Sequence, residues 1–423
     1  MTSHDGSAVR AGASEPLLGF AALMRMTFTG GDIDGLVARL IDRVNRDPAD
    51  ANAMLDLSTL LQLRFRPALG LALQAQALDV QRLYHLGTAP DVARVRLLAL
   101  MAPGDLMANT PLDCLLEGSG VALDILYVSP TEPLPTTLPP HDLVFVGVGE
   151  PDRNRAVLRK VAALLELTTR PVLNPPDRAL LLGRDSVCEM LRWSPGISMP
   201  VTARAPRELL HRIAEESVVA ATAIAGVDFP LLVRPVGSHA GRALAKIDAP
   251  ADLAVYLAEH PDGVFYVSRF IDYRNADGRC RKYRVVLIEG VPYACHMAVS
   301  QHWMIHYLNA GMSESAEKRG EEARFMASFD DVFAARHGGA FAAIFTKMGL
   351  DYIGIDCAET AAGDLLIFEV DTGMIVHALD PVEMFPYKQP QMRKVFRAFT
   401  DMLVCAGRRP DRVAAMRTAA TRR

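Results

Sequence analysis

The sequence contains few cysteines, few aromatic residues and no long apolar run. Its six cysteines among 423 residues are scattered, with neither a CxxC pair nor the spacing of a metal finger, so we expect no disulfide framework and no structural zinc site. No stretch approaches the ~20 apolar residues that a membrane-spanning helix requires. The short apolar stretch near the N terminus has no basic segment ahead of it, unlike a signal peptide. These absences predict a cytoplasmic protein with reduced thiols.

Positive and negative charges nearly balance, because the sequence has 45 Lys and Arg residues and 49 Asp and Glu residues. The formal net charge of −4 gives no support for binding to nucleic acid or to an anionic membrane. Half of the residues are hydrophobic, as in an ordinary folded protein. A chain of 423 residues exceeds the size at which a single hydrophobic core stops growing, so we expect several domains.

Residues 1–92 have a helical pattern. Apolar residues recur at helical spacing within Asp32–Val44, and two further apolar stripes follow Pro48 and Pro67. This helix–turn–helix rhythm resembles a degenerate tetratricopeptide repeat, and a plain helical bundle is an equally good interpretation. Helices of this kind could dock a protein partner, but a homodimer contact explains them equally well.

The pattern changes at about residue 93. Up to residue 200, strands alternate with helices, which indicates a parallel α/β domain. Three short apolar runs read as its buried strands: Val95–Met101, Ala122–Val128 and Asp142–Val148. Between residues 201 and 405 the apolar runs are separated by Gly-bearing turns and predict hairpins flanked by helices, that is, an antiparallel α+β domain. Residues 406–423 form a basic tail, which we interpret as a solvated helix.

Three carboxylates are predicted to converge near the C-terminal end of this α+β domain. Glu369 and Asp371 end the strand "LLIFEVD", and the two-residue period of a strand places them on one face. Asp356 lies on the preceding strand of the same hairpin, so it is expected opposite Glu369. Three such acids suit a hard cation, Mg²⁺ or Mn²⁺. A sheet edge open to water is the alternative, and spacing alone does not decide between them.

Two basic features precede these acids. Arg234 ends a strand and is followed by the small-residue loop Gly237–Gly241, whose backbone could approach an anion closely. Arg281, Lys282 and Arg284 surround the start of another strand. A flexible turn and a solvated basic face are the alternative interpretations of the two features.

Taken in order, these motifs resemble the ATP-grasp superfamily, which includes D-alanine–D-alanine ligase, glutathione synthetase and the ribosomal-protein glutamate ligases. The resemblance runs from about Val95 to Gln389. The passage "LNPPDRALLLGRDSVCEMLRWSPGISMPVT" looks like the family's entry into its lid, and "FPLLVRPVGSHAGRALAKI" looks like its phosphate-covering strand and loop. "FYVSRFIDY" takes the place of the adenine-binding strand, and "GIDCA" with "FEVDTG" takes that of the metal-binding strands.

The resemblance implies a parallel α/β domain followed by an ATP-grasp domain of two α+β subdomains, and an ATP-dependent carboxylate–amine ligase that acts through an acyl phosphate. It also implies roles for individual residues. The implied roles are Mg²⁺ binding for Asp356, Glu369 and Asp371; phosphate binding for Arg234, Gly237, Ser238 and Gly241; adenine binding for Ser268, Arg269, Phe270 and Ile271; and contact with the γ-phosphate or acyl phosphate for Arg284. Arg234 and Arg284 would be the catalytic cations. The substrates would be a small-molecule or peptide carboxylate and an amine.

The segment "HMAVSQHWMIHYLNAGM" occupies the region that reaches the acceptor substrate in related ligases. His302 and His306 are four residues apart, a spacing that can bind zinc on a helix, but no third ligand accompanies them. We therefore expect His302, Trp303 and Asn309 to line a substrate pocket.

The chain departs from the family's pattern at three positions. Ser186 and Arg234 stand where the family has lysines, and Asp371 stands where it has asparagine. Arginine keeps the positive charge, and an added carboxylate should tighten a metal site. Loss of one lysine keeps open a second hypothesis, a catalytically degenerate protein that binds a nucleotide or docks a partner. The third is an unrelated α/β protein with a wet acidic edge.

Overall fold

The computed structural model describes residues 15–149, 151–215, 224, 227–239 and 241–408. Its helices are α1 (Phe20–Phe28), α2 (Ile33–Arg46), α3 (Ala51–Leu63), α4 (Pro67–Val80), α5 (Leu112–Leu115), α6 (Pro151–Leu164), α7 (Pro176–Ala179), α8 (Arg184–Leu191), α9 (Arg207–Glu215), α10 (Pro250–Glu259), α11 (Ala316–Ala327), α12 (Gly338–Met348) and α13 (Lys388–Arg408). Shorter helical turns are the 3₁₀ segments Leu165–Leu167 and Tyr307–Asn309 and the π segment Phe329–Ala334. The predicted basic tail lies, from residue 409 onward, outside the described residues.

The strands form three sheets. They are β1 (Leu83–Gly87), β2 (Val95–Met101), β3 (Val121–Tyr127), β4 (Leu143–Val146), β5 (Val172–Leu173), β6 (Ile197–Ser198), β7 (Thr202–Pro206), β8 (Leu231–Pro235), β9 (Ala245–Ile247), β10 (Val264–Arg269), β11 (Cys280–Ile288), β12 (Val291–Ser300), β13 (Tyr352–Glu359) and β14 (Leu365–Asp371). Their orders are β1-β3-β2-β4-β5, β7-β10-β8-β9 and β12-β11-β13-β14-β6.

Helices α1 to α4 pack as a helical layer on the first sheet. Asp32 and Asp50 cap α2 and α3, because their carboxylates accept the N–H groups of Gly35 at 2.8 Å and Ala53 at 3.0 Å. Leu40 and Leu60 are buried in the apolar core that these helices share. The tetratricopeptide-like character expected here is not confirmed. Strand β1, which lies in the segment expected to be helical, pairs antiparallel with β3.

The first sheet is parallel from β3 through β2 and β4 to β5. Its strands are buried on both faces, as the near-continuous apolar runs predict. One face packs against the C-terminal helix α13, where the rings of Phe145 and Phe399 lie 5.8 Å apart. The other face packs against α6 through Val157 and Val161. In this arrangement, loops of the first sheet point toward the second and third sheets.

The second and third sheets contain the predicted hairpins. The second sheet is antiparallel and, with α9 and α10, encloses its own apolar core; we call it the lid sheet. The third sheet is antiparallel except for β6, which runs parallel to β14, and it packs on α12. A parallel α/β unit followed by an α+β unit with two sheets confirms the predicted fold class. None of the described helices combines the length and the apolar character needed to cross a membrane.

Candidate active site

A cavity of about 470 Å³ lies between the lid sheet, the third sheet and loops of the first sheet. It brings together most of the predicted site residues, although they are spread over more than a hundred positions of the chain. Those that line it are Arg234, Gly237, Ser238, Gly241, Ser268, Arg269, Phe270, Ile271, Arg284, Trp303, Asp356, Glu369 and Asp371. His302 and Asn309 are not among the lining residues; both are exposed, and the Asn309 side chain accepts the N–H of His306 at 2.9 Å.

A row of charged side chains crosses the third sheet at the cavity floor. Arg284 on β11 is opposite His296 on β12 and Asp356 on β13, and Asp356 is opposite Glu369 on β14. The register shifts just after Asp356, so a β-bulge lies beside the acids. The predicted convergence of Asp356 and Glu369 across the hairpin is therefore observed.

Asp356 is held by two cations. Arg284 donates from Nε to Oδ1 at 2.7 Å and from Nη2 to Oδ2 at 2.9 Å, and Lys282 Nζ lies 2.7 Å from Oδ2. Only 2% of the Asp356 side chain is exposed. Burial opposes ionisation, but the charges of Arg284 and Lys282 prevail and hold the pKa of Asp356 well below its usual range. Both carboxylate oxygens thus already have cationic partners.

The other two acids differ from each other. Glu369 forms an ion pair with Arg184, whose charge lowers the Glu369 pKa despite burial. Within the described ranges Asp371 forms no ion pair of this kind; its Oδ1 accepts the N–H groups of Thr372 at 2.7 Å and Gly373 at 3.2 Å. Burial and then the charge of Glu369 raise the pKa of Asp371 to about 6.

The carboxylate oxygens of Asp356, Glu369 and Asp371 are of the kind that binds Mg²⁺, but the three side chains are not arranged to bind it. Asp356 is saturated by cations and Glu369 is paired with Arg184. Within the ranges that the structure describes, no group of three or more His, Cys, Asp or Glu side chains is placed to hold a metal ion. As arranged here, the three acids form a charge-balanced cluster with arginine and lysine and do not form a metal cage.

Arg234 is directed into its own loop. It extends from β8, donates from Nε to Ser238 Oγ at 3.0 Å and also bonds the Ser238 carbonyl oxygen. Burial, followed by repulsion from Arg184, lowers the Arg234 pKa to about 10, so the side chain remains charged at neutral pH. These two bonds fix the position of Ser238 in the loop that follows β8.

That loop is closed against the predicted acceptor segment. Gly241 has φ +69°, and a Cβ at this position would collide with His306 Nε2. Gly237 has φ +74°, and a Cβ there would lie 3.2 Å from Arg153 Nε. The two glycines therefore allow the backbone to pass close to both side chains.

One end of the cavity is apolar. Ser268–Ile271, at the end of β10, lie beside Leu232, Leu244 and Met199 in its lining. The ring of Phe270 packs edge-on against Trp303, with centroids 5.5 Å apart. A flat aromatic ligand would pack against this part of the lining.

An ion cluster joins the lid sheet to the first α/β unit beside the cavity. Arg204 on β7 donates from Nε to Asp185 at 2.8 Å and from Nη2 to Asp152 at 2.6 Å. Tyr266 on β10 donates its hydroxyl to Asp152 and lies under the Arg204 guanidinium.

Strand alternation could have revealed Lys282, which shares a face with Arg284, whereas Arg281 points away to Asp277 and Glu321. The sequence offers no comparable signal for Tyr266.

Behind the acceptor side of the cavity lies a buried polar network. Glu322, which has no exposed surface, accepts the hydroxyls of Tyr307 at 2.9 Å and Tyr387 at 2.7 Å. Lys388 contacts the Tyr307 hydroxyl and lies 3.1 Å from Asp380. This network fixes Tyr307, whose ring faces His296 and the cavity.

Comparisons with known proteins find similarity in structure but not in sequence. No family model matches this chain, and no curated protein matches it. An ATP-grasp RimK domain protein from Sphaerobacter thermophilus is 16% identical, with a TM-score of 0.42 over 73% of this chain and 99% of that one. The VanG D-Ala:D-Ser ligase of Enterococcus faecalis is 14% identical, with a TM-score of 0.45 over 74% and 99%. A D-alanine–D-alanine ligase from Coxiella burnetii is 11% identical, with a TM-score of 0.45 over 77% and 99%. Each of these three structures is similar to this chain over about three quarters of its length.

Proposed function

We propose that this protein is an ATP-dependent ligase that joins a carboxylate to an amine through an acyl phosphate. The observation that carries the proposal is the charged row at the cavity floor, where Arg284 and Lys282 meet Asp356 beside the Arg184–Glu369 pair. Transfer of a phosphoryl group to a carboxylate depends on charge neutralisation and alignment far more than on covalent help. Fixed cations in a largely enclosed cavity provide both.

A nucleotide would lie in the cavity in the following orientation. The apolar end at Ser268–Ile271 would take the adenine ring, and the phosphates would then extend toward Arg184, Lys282 and Arg284. Arg234 would act through the loop it stabilises, because its guanidinium is bonded to Ser238. The acid and amine would enter on the side of Trp303 and His306.

In the proposed reaction, a carboxylate oxygen of the substrate attacks the γ-phosphorus of ATP, the bond to the bridging oxygen breaks, and ADP leaves. The amine then attacks the acyl carbon, phosphate departs with the former carboxylate oxygen, and the nitrogen releases its extra proton. The closed loop Gly237–Gly241, held against His306, would shield the acyl phosphate from water. The magnesium or manganese dependence expected from the family resemblance stays a prediction.

The second candidate is a catalytically degenerate protein that binds a nucleotide or docks a partner. The ion pairs that occupy Asp356 and Glu369 favour it, because they replace the free carboxylates that a metal-dependent ligase would present. Helices α1 to α4 would then provide the docking surface. Both candidates place the nucleotide in the same cavity. They differ in whether the bound ATP is converted to ADP.

The experiment combines binding and turnover. Calorimetry with a non-hydrolysable ATP analogue, with and without Mg²⁺, is followed by an ADP-release screen over small-molecule and peptide acids paired with amines. Arg284→Gln is the test variant, and Arg281→Gln, on the same strand but facing away, is the matched control. ADP release that requires both substrates and Arg284 supports the ligase. Binding without ADP release supports the second candidate, and absence of binding contradicts the ligase and the nucleotide-binding form of the second candidate.

A further inference from the structure

A second, smaller cavity of about 100 Å³ lies between the N-terminal helices and the first sheet. Its walls come from the start of α1, from α3 and α4, and from the ends of β2 and β3, where Met101 and Tyr127 face it. The larger cavity does not share these walls. The volume of the second cavity is enough for a few water molecules or one small organic molecule.

The lining of this second cavity is acidic. Asp56, Asp105 and Asp113 face it, and among the described residues its lining includes no Lys, Arg or His. Asp105 is paired with Arg153 at 3.3 Å. The hydrogen bonds of Asp56, which is 1% exposed, come from the backbone N–H groups of residues 18 and 19, at 2.9 and 3.0 Å. Burial raises the pKa of Asp56 to about 6 and also raises that of Asp113.

Two further polar atoms in this lining have no hydrogen-bond partner in the described part of the chain. They are Gln62 Oε1 and Thr110 Oγ1, both fully buried atoms of residues that are 8% and 0% exposed. A buried acceptor without a donor costs about 1–3 kcal/mol, and native proteins seldom leave one unsatisfied. By contrast, the amides of Gln74 and Asn109 are satisfied by the backbone of Gly104 and Ala102. Among the described residues, Gln62 Oε1 and Thr110 Oγ1 therefore lack a hydrogen-bond donor.

We propose that this second cavity binds a short-chain primary ammonium ligand. Its positive charge would face Asp56 and Asp113, and its N–H groups would serve the free oxygens of Gln62 and Thr110. Apolar walls from Leu55, Leu112 and Ile125 would take the short alkyl part. A bare metal ion fits less well, since none of the described His, Cys, Asp and Glu side chains cluster in threes at a spacing suited to a metal. An anion also fits less well, because it would meet the carboxylates of Asp56, Asp105 and Asp113.

The position of this cavity connects it to the larger one. Residues 102–111 form a loop between them: Gly104, Asp105 and Thr110 line the second cavity, and Met107 lines the larger one. Gln74 of α4 holds this loop at Gly104, with N···O distances of 2.8 and 3.0 Å. A ligand bound here would contact a loop that also forms part of the larger cavity.

The test uses the full chain without nucleotide, so it does not depend on the proposed ligase activity. Propylammonium chloride is titrated by calorimetry in buffer above pH 7, where Asp56 is ionised, with sodium and tetramethylammonium chloride as comparisons. We expect one saturable site for propylammonium and none for the other two cations. Thr110→Val and Gln62→Leu, which keep the side-chain shape, should each weaken binding about tenfold, as expected for one hydrogen bond to a charged group.

Thr29→Val is the matched control, since Thr29 is exposed and its hydroxyl bonds the Arg25 carbonyl oxygen at the C-terminal end of α1, whereas the cavity is lined by the start of that helix. It should bind propylammonium like the wild type. The proposal is overturned if propylammonium gives no saturable binding, if tetramethylammonium or sodium binds equally well, or if Thr110→Val and Gln62→Leu leave the affinity unchanged. Absence of saturable binding would mean that ordered water fills the cavity.

Discussion

Asp356 is the residue whose replacement should reveal most about the cavity floor. The carboxylate receives two charge-assisted hydrogen bonds from Arg284 and a third contact from Lys282, and it is 2% exposed. Asp356→Asn keeps the shape but removes the charge, which leaves two cations in a buried site. Breaking a buried ion pair from one side costs about 3–5 kcal/mol, because the remaining charge has no partner. We expect Asp356→Asn to lower the free energy of unfolding by about that amount.

The assay is urea unfolding followed by tryptophan fluorescence. Trp193 is 79% exposed, so Trp193→Phe can serve as a background in which Trp303, at the cavity, is the remaining tryptophan of the chain. Its fluorescence then reports unfolding around the third sheet. In the same background, Asp277→Asn is the matched control, because Asp277 pairs with Arg281 at the exposed start of the same sheet.

Asp356→Asn should unfold at a clearly lower urea concentration, and Asp277→Asn should stay close to the wild type. Equal midpoints for Asp356→Asn and the wild type would contradict the ion cluster described here. A rise in stability on replacement would have the same meaning, since it would show that Arg284 and Lys282 do not depend on this carboxylate.

Three further predictions concern other parts of the cavity. Gly241→Ala places a Cβ against His306 at φ +69°, which costs roughly 1–2 kcal/mol; loop closure should weaken, and ADP release without amide product should increase in a coupled assay. Burial and the charge of Glu369 raise the pKa of Asp371 to about 6, so this group destabilises the fold as pH rises from about 4 to about 6. Asp371→Asn should therefore resist urea better than the wild type above pH 6 and not below pH 4. Arg184→Gln removes the cation that pairs with Glu369 at the cavity wall, and calorimetry should show about tenfold weaker binding of an ATP analogue.

Sequence patterns predicted the parts of this site that depend on local periodicity. The hairpin that sets Asp356 opposite Glu369 follows from two apolar strands and a short turn, and the structure has that pairing. The closed loop after Arg234 follows from its small residues. These features are encoded within short stretches, so one sequence is enough to locate them.

The partners of these residues could not be predicted in the same way. Lys282 and Arg284 neutralise Asp356 from a strand more than seventy positions earlier, and strand register between distant segments is not readable from periodicity. Arg234 bonds its own loop, although its position suggested a direct phosphate contact. The second cavity depends on how α3 and α4 pack on the ends of β2 and β3, which is a property of tertiary packing alone.

The most direct test of the central claim follows the oxygen atom that an acyl-phosphate mechanism must transfer. The protein is incubated with ATP, Mg²⁺, amines and a panel of carboxylic acids labelled with ¹⁸O in the carboxyl group, and the released phosphate is analysed by mass spectrometry. Our account predicts ADP together with ¹⁸O-labelled phosphate, both lost in Arg284→Gln and kept in Arg281→Gln. Unlabelled phosphate would show simple ATP hydrolysis, and the absence of ADP formation would show that the cavity does not catalyse ligation; either result contradicts the account.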